Sequence, residues 1–302
     1  MPGQLRSARD WRDWIVARAI VALLWLARRL SYPTRVRWLG WLAGRAVAPL
    51  SDFPARIRAN LALVCPNLSP AEVRRITREV PVSAVRTLLE LHSGDDFRAV
   101  AAAARVRGAE HLAAVEAAHA AGRPVILVSG HFGNYDVPRA ALAARGIAVG
   151  GLYRPLKNRF YNAIYAETIA AISGPVFARG RRGLASMVKF LREGGVVGLL
   201  IDQRMAHGVP LRFFGRPAWT ALSAAEMAVK YDALILPMYG RRLADGVSFE
   251  LVAEAPIPHG DPVEMTQALN DSLERMVRAD MEQWLWFHRR WKDPHGPGPA
   301  SV

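Results

Sequence analysis

The sequence predicts an α/β protein with a mainly parallel sheet covered by helices, and three observations lead there. Five short runs rich in aliphatic or β-branched residues read as strands: PVILVSG at 124–130, IAVGGLY at 147–153, VVGLLID at 196–202, ALILPMYG at 233–240 and FELVAEA at 249–255. Helical stretches around 136–145, 158–172, 181–193, 219–231 and 262–286 lie between and after them. About half of the 302 residues are hydrophobic, enough to bury a large core. Strands that alternate with helices are expected to run parallel, with the helices crossing over their faces. In such sheets reactive side chains gather where strands end.

The region before the first strand has a different character. From Trp14 to Ala27 the chain reads WIVARAIVALLWLA, interrupted only by Arg18 and flanked by Arg9, Arg12, Arg28 and Arg29. This is shorter than the roughly 20 apolar residues that a spanning helix needs. Trp11, Trp14 and Trp25, with Trp38 and Trp41 following, suit the interface between membrane and water. Residues 1–30 therefore read as an N-terminal membrane-associated helix, lying in the interface or marginally inserted, against the plainer reading of a buried helix. No small-residue cleavage site marks a secretory signal. Residues 52–104 read as helical, with a capping box in which Ser69 precedes Pro70 and Glu72 follows three positions on. The main domain is expected over 31–302, its Pro/Gly-rich end, 292–302, being a disordered tail.

A formal net charge of +14 and a pI near 10.8 call for an acidic partner: nucleic acid, anionic membrane or an acidic protein. Neither a nucleic-acid-binding motif nor aromatic platforms in a basic strand pattern accompany the charge, so no nucleic acid is expected. The single cysteine, Cys65, excludes an intramolecular disulfide framework and reads as a small buried hydrophobe. His92, His111, His119, His207 and His259 lack partners at metal-ligand spacing, so neither a metal nor another cofactor is expected.

The run that carries chemistry is His131-Phe132-Gly133-Asn134-Tyr135-Asp136, which follows PVILVSG and precedes a helical pattern. His131 stands at a strand end and Asp136 near the first turn of the next helix. Across a glycine-containing turn the carboxylate could fold back toward the imidazole. A neutral imidazole takes the proton from an attacking alcohol, and a carboxylate on its other nitrogen fixes the tautomer and stabilises the imidazolium. Such spacing is common by chance, and a lone histidine after a strand is more often structural. Backbone amides around Gly133 are candidate donors to an oxyanion.

Five separated blocks, GHFGNYD at 130–136, YRPLKN at 153–158, EGGVVGLLIDQR at 193–204, FFGRPAWT at 213–220 and WLWFHRRWK at 284–292, together resemble the lipid A biosynthesis acyltransferases, the lauroyl/myristoyl transferase family. The resemblance spans about 50–292. It implies transfer from acyl carrier protein to a hydroxyl of a Kdo-bearing lipid A precursor, at the inner membrane with the catalytic domain facing the cytoplasm. It also implies catalytic roles for His131 and Asp136. Two departures stand out: the family usually has glutamate where this chain has Asp136, and commonly an arginine near Glu167-Thr168, where this chain has none.

Arg154, Lys157, Arg159 and Arg179 are left as candidates to bind the phosphates of the acceptor. Asp202, before glutamine in the third block, is expected to orient substrate or a basic residue, or to form a structural ion pair. Arg179, Arg181 and Arg182 suit a phosphate or the carrier protein, and His288, Arg289, Arg290 and Lys292 with Trp286 and Trp291 suit a membrane surface or a lipid headgroup. Rival readings are an acyltransferase for another glycolipid, such as a phosphatidylinositol mannoside, and a non-catalytic binder of anionic membranes in which His131 is structural.

Overall fold

The computed structural model describes residues 7–293. Helices come first: α1 (Ala8–Ala27), then α2 (Tyr32–Thr34), which passes through a π-helical turn at Arg35–Leu39 into α3 (Gly40–Val47), and α4 (Phe53–Val64), α5 (Pro70–Leu91) and α6 (Asp95–Ala102). The alternating part follows as β1 (Arg105–Arg107), α7 (Ala109–Ala120), β2 (Val125–Ser129), α8 (Val137–Ala143), β3 (Val149–Tyr153), α9 (Arg159–Ile172), β4 (Val176–Ala178), α10 (Arg181–Arg192) and β5 (Val196–Leu200). A hairpin of β6 (Val209–Phe213) and β7 (Arg216–Thr220) leads to α11 (Ser223–Lys230), β8 (Leu234–Arg242), β9 (Phe249–Ala253) and α12 (Pro262–Ala279).

The seven-stranded sheet has the order β1-β9-β8-β2-β5-β3-β4. Every neighbouring pair is parallel except β8 with β9. The expected α/β class with a mainly parallel, helix-covered sheet is therefore what the chain adopts. All five residues of β2 are buried, as a central strand covered on both faces requires. Val125 and Leu127 join a core with Phe97, Val115 and Val137, whereas Ile126 and Val128 join another with Met187, Leu191 and Met265. That alternation is the period of two that puts successive side chains on opposite faces. The capping box forms at the start of α5: Ser69 Oγ accepts from the Glu72 amide at 3.2 Å, and the Glu72 carboxylate accepts from the Ser69 amide at 2.8 Å.

Two expected helices are corrected. The one expected from 219 begins only at Ser223, because Trp219 and Thr220 belong to the β6–β7 hairpin. Phe214 and Gly215 turn it with φ of 53° and 71°, the positive pair of a two-residue hairpin loop that glycine favours. The helix expected to run to 286 ends at Ala279. Trp284 and Trp286 are both fully buried, and side chains two apart share one side of extended backbone, not of a helix. Trp284 instead forms an isolated antiparallel bridge with Phe132. Within the basic segment, Trp286 and Arg290 are buried among Phe213, Phe214 and Trp291, with Trp284 and Trp286 ring centroids 4.9 Å apart, so these two do not face a membrane or headgroup, whereas Arg289 and Lys292 are exposed.

Helix α1 lies against the start of α9, where Asn158 Nδ2 donates to the Asp13 carbonyl at 2.7 Å and Arg159 pairs with Asp10 at 3.0 Å. Ala17 and Ala27 are its buried residues, while Trp11, Ile15, Val16, Leu23, Trp25 and Leu26 are exposed. Among the described residues no helix is long and apolar enough to cross a membrane, so nothing here bears out a spanning segment. Most of the tail expected at 292–302 lies outside the described residues.

Candidate active site

The C-terminal ends of β2, β3, β4 and β5 bring the predicted residues to one edge of the sheet. His131 follows β2, Arg154 follows β3, Arg179 follows β4 and Asp202 follows β5, which pairs with β2 on one side and β3 on the other. Residues 71 positions apart meet here. The His131 ring presents Nδ1 to Asp202 Oδ1 at 2.8 Å, and the His131 amide donates to Asp202 Oδ2 at 2.8 Å. The Trp284 indole donates to the same Oδ2, also at 2.8 Å. Gly130 lets the carboxylate come this close, since a Cβ there would lie 3.2 Å from Asp202 Oδ2 and 2.7 Å from a Leu273 methyl.

A carboxylate accepts only, so the imidazole carries its proton on Nδ1 and leaves the Nε2 lone pair facing outward. Gln203 Nε2 lies 3.3 Å from that nitrogen. The electrostatics of the pair agree. Burial opposes charge on Asp202, yet His131 and the donors from its ring, its backbone and Trp284 outweigh burial and hold the carboxyl well below the usual range. For His131 burial again acts first and downward, but Asp202, through charge and hydrogen bond, and then Asp136, through charge, bring the net pKa above the ordinary 6.5.

Asp136 does not hydrogen-bond to the imidazole, contrary to the dyad expected from the spacing. It stands at the N-cap of α8, and its Oδ1 accepts from Arg139 Nη1 at 2.6 Å, three residues along the helix. Both partners are buried, and Arg139 also donates to the carbonyls of Ile169 and Ser173. A buried guanidinium one turn away holds the carboxylate more tightly than a ring on the far side of the loop could. Asp136 acts on His131 through its field alone.

Gly133 is likewise corrected. Its amide donates to the Gln283 carbonyl at 2.9 Å, and the amides of Phe132 and Asn134 donate to Gly130 and Gly240 carbonyls, so these groups are already engaged. Glycine is required there because φ is +56° and a Cβ would lie 2.0 Å from the Gly240 carbonyl oxygen. The loop is anchored from below as well: Asn134 Nδ2 donates at 2.9 Å to Glu90, which is fully buried in an ion pair with Arg242.

Arg154, Lys157 and Arg179 are exposed at the ends of β3 and β4, with Arg179 Nη2 3.8 Å from the Met205 sulfur. Three contributors escaped the sequence reading. Trp284 is visible there only as one of several tryptophans, Arg139 only as a helical residue, and His288 only as part of a basic run. His288 Nε2 accepts from the Arg204 amide at 3.2 Å, which requires a neutral ring, and burial lowers its pKa accordingly. Among the described residues no group of histidine, cysteine or carboxylate side chains could hold a metal ion.

A carboxylate-held imidazole with cations along the same edge is an arrangement able to take a proton from a hydroxyl beside an anionic group. The chain belongs to the bacterial lipid A biosynthesis acyltransferase family, whose model matches residues 1–293. It is 28% identical over 298 residues to the lipid A biosynthesis lauroyltransferase of Escherichia coli K12, covering 95% of this chain and 94% of that one. It is 26% identical over 299 residues to a phosphatidylinositol mannoside acyltransferase of Mycobacterium tuberculosis, covering 95% and 89%. To the lipid A biosynthesis palmitoleoyltransferase of Escherichia coli K12 it is 26% identical over 305 residues, covering 94% and 92%.

The raised His131 pKa has a signed consequence. Asp202 favours the imidazolium, so the ring should release its proton with a midpoint above 6.5, and Asp202→Asn should bring the midpoint down. Imidazole proton shifts followed by NMR across pH 5–9 (roughly the histidine range) check this. An Asp202→Asn midpoint equal to or above that of wild type contradicts the pairing.

Proposed function

We propose that the protein transfers a fatty acyl group from a thioester on acyl carrier protein to a hydroxyl of a lipid A precursor. The observation that carries the reading is the His131–Asp202 contact, which leaves a basic nitrogen facing outward at the edge where Arg154 and Arg179 also end. In the proposed reaction the acceptor hydroxyl gives its proton to His131 Nε2 as its oxygen bonds to the thioester carbonyl carbon. Asp202 stabilises the imidazolium, and collapse of the tetrahedral intermediate breaks the carbon–sulfur bond and returns the proton to the thiolate. Asp136 remains in the account as a positioning residue. Its charge favours the imidazolium, and its pairing with Arg139 fixes the start of α8 behind the loop.

Arg154, Lys157 and Arg179 are proposed to hold the acceptor's phosphates, and the exposed cations of the same edge to draw in the acidic carrier protein. A membrane carrying the acceptor would meet the exposed apolar residues of α1 and of Trp38, Trp41 and Leu42. On this reading the protein works on the inner membrane with its site toward the cytoplasm. The comparable identity to a phosphatidylinositol mannoside acyltransferase makes that glycolipid the second acceptor to assay.

His131→Ala should lower transfer from purified acyl carrier protein thioester by about 10²–10⁴-fold, the usual worth of a general base, while the protein remains folded. Wild-type kcat/KM should rise with pH to a midpoint above 6.5 and level off, because the raised pKa delays release of the lone pair. A folded His131→Ala protein with near-normal transfer would sink the mechanism. Combined Leu23→Ser, Trp25→Ser and Leu26→Ser should release the protein from vesicles of anionic phospholipid; undiminished binding would place membrane contact elsewhere.

A further inference from the structure

The reaction proposed above moves a pair of electrons onto the thioester carbonyl oxygen, and that oxyanion needs hydrogen-bond donors. Most amides of the loop after β2 are already engaged. The amide of His131 is committed to Asp202, those of Phe132, Gly133 and Asn134 to carbonyls, and that of Asp136 to the Asn134 side chain. A side chain within reach of His131 Nε2, where the attacking hydroxyl has to sit, is the further source of a donor.

We propose that the donor is the side-chain amide of Gln203, and that Gln203 is a catalytic residue of the acyl-transfer step. The inference rests on the acyl-transfer reading and extends it to the oxyanion. Gln203 Nε2 lies 3.3 Å from His131 Nε2. Because the imidazole keeps its proton on Nδ1, its outward nitrogen is a lone pair, and only the NH2 end of the glutamine complements it. In the resting enzyme that NH2 covers the base. An arriving hydroxyl takes its place on Nε2, and the freed amide is left beside the atoms that react, which approach within about 3–3.5 Å of one another before bond formation. Rotation of an exposed side chain suffices to bring the donor to about 2.7–3.1 Å from the developing oxyanion.

The backbone that carries Gln203 is braced on both sides, which is what a preorganised donor requires. Asp202 before it is fixed by the His131 ring, the His131 amide and the Trp284 indole. Arg204 after it donates its amide to His288 Nε2, whose lowered pKa keeps that nitrogen an acceptor. Electron balance is complete within the step: the carbonyl π pair moves to oxygen, the donor hydrogen bond holds it, and its return expels the thiolate. The amide of Gln203 gains and loses no proton.

The test uses the full chain in detergent. Gln203→Ala should reduce kcat for transfer by about 10²–10³-fold, as removal of a single oxyanion donor does, with the donor KM changed by no more than about threefold. Its thermal midpoint should match wild type because the side chain is exposed. Gln203→Glu, nearly the same shape but an acceptor, should be at least as slow. Wild type should also bind a long-chain alkyl trifluoromethyl ketone, which presents a tetrahedral hydrate, more tightly than the corresponding methyl ketone, and Gln203→Ala should lose that preference. Unchanged kcat in Gln203→Ala, a loss confined to KM, or a ketone preference absent from wild type or retained in the variant would each overturn the assignment. Wild type without transfer activity on purified donor and acceptors would instead count against the acyl-transfer reading, while the ketone comparison still decides the role of Gln203.

Discussion

One buried carboxylate organises the end of this sheet. Asp202 sits 3% exposed at the tip of β5, where an ionised group without partners would cost several kcal/mol. Three donors satisfy it: the His131 ring, the His131 amide and the Trp284 indole. The carboxylate comes from the end of β5 and its donors from the loop after β2 and from the C-terminal segment, so the condition that stabilises the charge also joins three parts of the chain that are distant in sequence. The bond to the ring among these three sets the tautomer of the imidazole. Stability of the buried charge and readiness of the base are thus one requirement, not two.

The rest of the architecture serves that arrangement. Trp284 reaches Asp202 because α12 stops at Ala279 and, after a short 3-10 turn at Met281–Gln283, Trp284 bridges to Phe132. Trp286 and Trp291 then fill the space beneath the β6–β7 hairpin, and Arg290 donates to Trp219 O at 2.8 Å and Thr220 Oγ1 at 2.7 Å. That cluster carries the hairpin and the residue run from Gln203 onward as one body. On the opposite side of His131, Asn134 links the loop to Glu90 and Arg242, and Asp136 links it to Arg139. Two buried ion pairs thus back the loop that carries His131, and neither hydrogen-bonds to its ring.

The sheet was legible in the sequence where hydrophobicity is local and continuous. Each of the five apolar runs became a strand, and the reason is plainest at β2, whose five residues are all buried because a central parallel strand is covered on both faces. β1 and β4 were not anticipated; at three residues each they are too short to leave a pattern. His131 was legible as a strand-end residue. Its partner was misassigned for a physical reason: a spacing argument sees Asp136 five residues away, whereas the pairing is decided by β5 lying beside β2, which no local pattern encodes. Arg139, which claims Asp136, is a helical residue like any other until the fold buries it. Trp286 and Trp291 read as membrane or headgroup contacts because they stand among cations, yet large aromatics serve a core equally well, and no local pattern distinguishes the two.

The central claim is that Asp202, not Asp136, is the hydrogen-bond partner of the proposed base, and the Nδ1 proton of His131 reports on it directly. With ¹⁵N-labelled histidine at a pH above the imidazole midpoint, wild type should show a neutral ring protonated on Nδ1, with that proton far downfield as in a bond to a carboxylate. Asp136→Asn should keep this signature, and Asp202→Asn should lose it. An Asp136→Asn protein that loses the downfield Nδ1 proton while Asp202→Asn retains it would contradict the account.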